Sequence, residues 1–124
     1  MPLLVISSPN GGVGKTTLAA NFAAQLARSG ESVTLVELST QNILRRYFGL
    51  TDIGPAIASP SQSDAAGAAP VLAAAAFRVE DNLKVIPHAL IAGDAETSTP
   101  AEGLSFLGKL SRHAAFQDDI VLVD

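Results

Sequence analysis

Short apolar runs alternate with longer amphipathic stretches along this chain. Residues 3–7 open on Leu-Leu-Val-Ile, residues 33–37 read VTLVE, residues 83–87 read LKVIP and residues 120–123 read IVLV. Near-continuous apolar runs of this length are the pattern of strands buried on both faces of a parallel sheet. Between the first two runs, residues 15–29 predict a helix with Leu18, Phe22 and Leu26 at i, i+4 and i+8 as its large apolar stripe. Alanines at 19, 20, 23, 24 and 27 allow that helix to approach a sheet closely. Gly30 is suited to end it in a left-handed turn. Residues 42–48 predict a short helix stopped by Gly49, and residues 104–115 a longer one with Leu104, Leu107 and Leu110 on one side. Residues 51–70 shift to Pro, Ser, Ala, Gly and Asp, the composition of a mobile loop or a loosely held helix.

Strands that alternate with helices imply an α/β fold: a mainly parallel sheet with right-handed crossovers, here of about four strands. A run as apolar as 120–123 belongs inside a sheet and normally leads into another helix. Residues 1–124 are therefore expected to be the N-terminal part of a single larger domain, truncated after the fourth strand.

Composition narrows the function. A formal net charge of −4 argues against a whole-surface affinity for nucleic acid or acidic lipid. The one candidate basic patch is Arg45-Arg46, and two adjacent arginines commonly form a solvated face. Cysteine is absent, which removes disulfides and thiolate metal sites and fits a cytoplasmic location. No Lys or Arg precedes the first apolar run, so it lacks the form of a secretory signal, and it is too short to cross a bilayer.

The chemistry concentrates in residues 7–21, SSPNGGVGKTTLAAN. The pattern G-x-x-x-x-G-K-[ST] marks a loop whose backbone N–H groups hold phosphates at the positive end of a helix. Here Pro9 stands where the first glycine belongs. Asn10, Gly11, Gly12, Val13, Gly14, Lys15, Thr16 and Thr17 form the candidate cofactor-binding run. The glycines permit the tight turn and a close backbone approach. Lys15 can reach the β- and γ-phosphates, the Thr16 hydroxyl can ligate Mg²⁺, and Thr17 can serve the α-phosphate. A glycine turn can also merely link a strand to a helix, but this one lies between a buried apolar strand and an amphipathic helix, as phosphate binding requires. A second magnesium-side group is expected at the end of an adjacent strand, and Asp124 follows IVLV directly. The metal set is thus Thr16 and Asp124. Asp118 and Asp119, at the other end of that strand, read as surface charge.

GGVGKTT, the helix TLAANFAAQLARSGESV, the strand TLVEL, LKVIP and the terminal IVLVD together resemble the ParA/MinD family of P-loop ATPases, with the three-layer P-loop NTPase fold. The resemblance covers nearly the whole chain. It implies binding of ATP and Mg²⁺, a nucleotide-dependent homodimer of the full-length protein, and a role in positioning other machinery. Two departures stand out. The family's loop reads K-G-G-x-G-K-[ST], with a lysine that reaches the partner's nucleotide; that place is Asn10 here. Its second strand ends D-x-D-P-Q, whereas this chain reads Glu37-Leu38-Ser39-Thr40-Gln41, so Ser39 replaces the second aspartate. Serine cannot serve as a comparable base at neutral pH, and losing a cation supplied across an interface costs on the order of 10³-fold in rate. Binding with slow or absent hydrolysis is expected, and no catalytic residue is assigned.

These departures, with QNILRRYFGL after the second strand, are similar to the cellulose-biosynthesis branch, BcsQ (YhjQ). That likeness implies an accessory protein of bacterial cellulose secretion, peripheral at the inner membrane through a small accessory subunit and a membrane cellulose synthase complex. The competing expectation is a cycling ATPase of plasmid or chromosome partition or of cell-division positioning. No nucleic-acid contact is expected from this segment. A nucleotide-free interaction module is the third reading. His88 and His113 read as surface or structural, the five phenylalanines as packing, and Glu80, Asp81, Asp94, Glu96 and Glu102 as solvated turn charge.

Overall fold

The computed structural model describes residues 3–5, 13–38, 43–51, 53, 57, 65–91, 100–116 and 119–124. Five strands form one sheet: β1 (Leu3–Val5), β2 (Val33–Val36), β3 (Phe77–Glu80), β4 (Leu83–Ile86) and β5 (Ile120–Val123). Their order is β1-β5-β2-β4-β3. All neighbouring pairs are parallel except β3 with β4, which form an antiparallel edge hairpin. The architecture is the expected α/β class, with one strand more than the apolar runs revealed.

That extra strand, β3, alternates Phe77 and Val79 with Arg78 and Glu80, and turns through Asp81-Asn82 into β4. Asn82 has φ 65°, a left-handed value that asparagine tolerates in tight hairpin turns. A register irregularity between Arg78 and Glu80 bends this edge.

The sheet is covered on both faces except at its β1 edge, where Leu4 and Val5 are exposed, against the expectation of a strand buried on both sides. Helix α1 (Val13–Arg28) and the short α2 (Leu44–Tyr47) lie over one face, where Val33, Leu35, Leu83, Val85 and Leu122 pack with the alanines. Helices α3 (Ala65–Ala75) and α5 (Pro100–Ser111), with the 3₁₀ turn Ala114–Phe116, cover the other, over Val36, Ile86, Val121 and Val123. Four-residue α4 (His88–Ile91) follows β4. The alternation within each strand, not between strands, sorts residues between the two layers.

Three further expectations change. In α1 the buried face is the alanine row at 19, 20, 23, 24 and 27, whereas Leu18 and Phe22 are 61% and 43% exposed. The short side chains bring the helix axis close to the sheet, and that turns the Leu18–Phe22 edge outward. Residues 65–70, expected to be loop or loosely held helix, belong to α3, whose Ala65, Ala68, Ala69 and Leu72 are buried despite Pro70 within the helix. Helix α5 starts earlier and ends earlier than expected, and it buries Phe106, Leu107 and Leu110 while leaving Leu104 exposed.

Glycine punctuation follows the sequence. Gly30 has φ 101° and Gly49 φ 66°. Glu31 N–H donates to Leu26 O while Gly30 N–H donates to Ala27 O, the paired pattern that closes a helix through a left-handed residue. Leu50 N–H to Arg45 O repeats the longer of these bonds after α2.

Candidate functional site

The connection from β1 to β2 runs through α1 and passes over β5, which lies between them. The carboxyl end of β5 therefore meets the beginning of α1. In α/β sheets this crevice beyond the strand ends is where ligands bind. Two residues fix Asp124 there through the backbone: its N–H donates to Val36 O at 2.9 Å, and its C=O accepts from Leu38 N–H at 2.9 Å.

The Asp124 side chain is fully buried and faces the first turns of α1. Thr16 Oγ1 donates to Asp124 Oδ2 at 3.0 Å. Lys15 Nζ lies 2.9 Å from Asp124 Oδ1, with the lysine side chain 13% exposed. Oδ1 has no aligned hydrogen bond, so this contact is a charge contact rather than a directed one. Three of the expected site residues, separated by more than a hundred positions in sequence, thus converge. Gly14 is exposed and Thr17 half-buried on the same helix end. Val13 begins α1, while Asn10, Gly11, Gly12 and Ser39 lie outside the described residues.

A second buried carboxylate stands beside the first. Val36 pairs with Val123, so one further step along both strands sets Glu37 next to Asp124. Glu37 is fully buried. Its Oε2 accepts from the Ile43 N–H at 2.7 Å and the Leu44 N–H at 2.9 Å, and its Oε1 accepts from the His88 N–H at 3.0 Å. These are free amides at the starts of α2 and α4, which a carboxylate satisfies with charge-assisted bonds. Glu37 is a clamp that ties the ends of β2 and β4 to two helix starts. Sequence reading missed this role, because the donors are amides from remote segments.

At the opposite end of the sheet, Asp119 is not the surface charge expected. It is buried, accepts from Ser32 Oγ at 2.7 Å and from Thr34 Oγ1 at 2.6 Å, and lies 3.7 Å from Lys84 Nζ. Thr34 and Lys84 are register partners on β2 and β4, so one carboxylate serves both strands. Asp118 lies outside the described residues. Glu80 is likewise no solvated turn residue: it sits in β3 and takes two hydrogen bonds from Arg28, at 3.1 and 3.2 Å. Asp81 and Glu102 are exposed; Asp94 and Glu96 lie outside the described residues. His88 is buried with no hydrogen-bond partner to its Nδ1 among the described residues, and His113 Nδ1 accepts from the Ala115 N–H at 3.0 Å, a structural contact. No cluster of three or more His, Cys, Asp or Glu able to hold a metal occurs among the described residues. No described helix is long and apolar enough to cross a membrane.

Comparison with known families completes the description. The family model described as cellulose biosynthesis protein BcsQ matches residues 1–122. The chain belongs to the BcsQ family. At family level this is a ParA/MinD-like role in cellulose biosynthesis. The match includes the glycine loop and the beginning of α1 and stops two residues short of Asp124, whose place in the site is known from its contacts alone. Searches of curated proteins and of solved structures returned no match.

Proposed function

We propose that this BcsQ-family chain binds ATP with Mg²⁺ at the amino end of α1, hydrolyses it slowly or not at all, and acts as an accessory or positioning factor in cellulose secretion. The observation that carries this reading is the convergence of Lys15 and Thr16 with Asp124. A hydroxyl and a carboxylate are hard oxygen donors, the type Mg²⁺ takes while keeping several waters. Asp124 Oδ1 is buried and engaged only by the Lys15 charge, so its lone pairs are open to a cation once Lys15 turns to phosphate. The residues fit the group.

In this reading Lys15 carries its charge from Asp124 to the β- and γ-phosphates, and Gly14 and Thr17 offer backbone and hydroxyl donors with the glycines of the preceding loop. Thr16 and Asp124 hold the cation, directly or through water. Magnesium, when bound, neutralises phosphate charge. Slow turnover follows from Asn10 and Ser39, and from Glu37, whose oxygens accept three backbone N–H bonds and are not free to orient a water. A nucleotide-dependent dimer, a cytoplasmic location and attachment to membrane machinery through partners belong to the same proposal.

The test is titration of a fluorescent ATP analogue, with Mg²⁺, into the wild-type chain and into Lys15→Ala/Asp124→Asn, which removes both charges and leaves neither unpaired. Saturable binding to the wild type that the double variant loses is the expected result. Identical curves would sink the proposal. Turnover with and without nonspecific DNA is measured beside it, and DNA-stimulated hydrolysis would point instead to a partition ATPase.

A further inference from the structure

The outward row of α1 is Leu18, Asn21, Phe22 and Gln25, at i, i+3, i+4 and i+7, and all four are exposed. A surface helix is expected to put polar side chains there. Single exposed apolar residues are ordinary, but these are joined by a third. Tyr47 of α2 is 44% exposed, and its hydroxyl reaches Asn21 Oδ1 at 3.4 Å. Its ring meets Phe48 edge-on, with centroids 5.1 Å apart. Tyr47 thus reaches the row of α1 that carries Leu18 and Phe22.

Charge adds a second feature to this strip. Neither α1 nor α2 contains an aspartate or glutamate. Arg45 and Arg46 of α2 are exposed, and neither has an ion-pair partner among the described residues. In a chain of net charge −4, this is a positively edged apolar strip.

We infer that the outer face of α1 with α2 is a docking surface for an acidic amphipathic helix of a partner protein. Leucine, phenylalanine and tyrosine supply a core of anchors, and arginine a rim that selects carboxylates. A partner helix with apolar residues at i, i+3, i+4 and i+7 and Asp or Glu on its flanks is the complementary shape. An anionic bilayer is the weaker match, because the remaining surface is acidic and repels it. The inference does not rest on nucleotide binding, since none of its residues holds the proposed phosphate or metal.

The experiment uses the full chain and a fluorescein-labelled synthetic helix carrying leucines at that spacing and glutamates elsewhere. Its control is the same peptide with lysine for every glutamate. Saturable binding of the acidic peptide, roughly tenfold or more tighter than the lysine peptide, is expected. Leu18→Ser/Phe22→Ser and Arg45→Glu/Arg46→Glu should each weaken it by about tenfold, with unchanged circular dichroism and an unchanged response to nucleotide. Equal binding of the two peptides overturns the proposal without any variant being needed. So does binding indifferent to both double variants. Capture by phosphatidylserine vesicles in the absence of peptide binding would assign the strip to membrane, and self-association lost in Leu18→Ser/Phe22→Ser without peptide binding would assign it to a second copy; either also overturns it.

Discussion

Lys15 and Asp124 form an ion pair at 2.9 Å across 109 positions of sequence, with the carboxylate fully buried and the ammonium nearly so. The pair occupies the ground that a phosphate and a cation would need. Lysine cannot serve a phosphate while it neutralises Asp124, and a buried carboxylate left without a counter-charge is costly, roughly 3–5 kcal/mol. Under the proposed function this arrangement would link the two ligands: a cation that replaced Lys15 on Asp124 would free Lys15 for phosphate.

The first prediction follows. Wild-type chain should bind a fluorescent ATP analogue about tenfold or more tightly with Mg²⁺ than with chelator, a coupling of ordinary size for linked sites. In Asp124→Asn, Lys15 is already free, so metal-free binding should tighten and the Mg²⁺ dependence should nearly vanish. Titrations of both proteins in both conditions check this. An undiminished Mg²⁺ effect in the variant would remove Asp124 from the metal side.

Glu37 tests whether a buried carboxylate is a clamp or a reacting group. Glu37→Gln replaces an acceptor with a donor facing backbone N–H groups and should lower stability by about 1–3 kcal/mol in urea unfolding. Hydrogen exchange should accelerate first on the side that the glutamine NH₂ comes to face, either at the His88 amide or at those of Ile43 and Leu44 together. Exchange that speeds evenly over the whole chain would contradict a local clamp.

Asp119 offers the matching control at the far end of the sheet. Asp119→Ala leaves the hydroxyls of Ser32 and Thr34 without their shared acceptor, and Lys84 without its counter-charge. A loss on the order of 2–3 kcal/mol is expected. Nucleotide affinity at a temperature where the variant is folded should match the wild type, because no Asp119 contact reaches α1. A fall in affinity as large as that of Lys15→Ala/Asp124→Asn would mean that the two ends of the sheet communicate.

Thr16 separates hydroxyl from shape. Thr16→Val keeps the branched volume, removes the donor to Asp124 Oδ2, and should cost about 1–3 kcal/mol. Thr16→Ser should recover most of it. Melting temperatures of the three proteins decide, and a valine variant as stable as wild type would show that the bond contributes nothing.

The linear pattern determined a good deal of this protein. Four strands were legible from their apolar runs, three of them because parallel strands covered on both faces must be apolar at nearly every position, and the helix ends because Gly30 and Gly49 adopt left-handed φ values that other residues resist. That β1 lies at the sheet edge with Leu4 and Val5 exposed was not legible. Family membership was legible from the loop and its flanking elements, since a phosphate cradle needs glycines and a lysine at fixed, local spacing. Tertiary structure alone decided the rest. The face of α1 turned to the sheet depends on how close the axis can come, so alanines won over Leu18 and Phe22, against the usual reading of a large apolar stripe. Strand β3 was short and polar enough to pass for a turn until β4 was there to pair with it. Glu37, Asp119 and Asp124 are three carboxylates at strand ends, alike in sequence. Their duties differ because of what the sheet order brings to each: helix-start amides, neighbouring hydroxyls, or the lysine and threonine of α1.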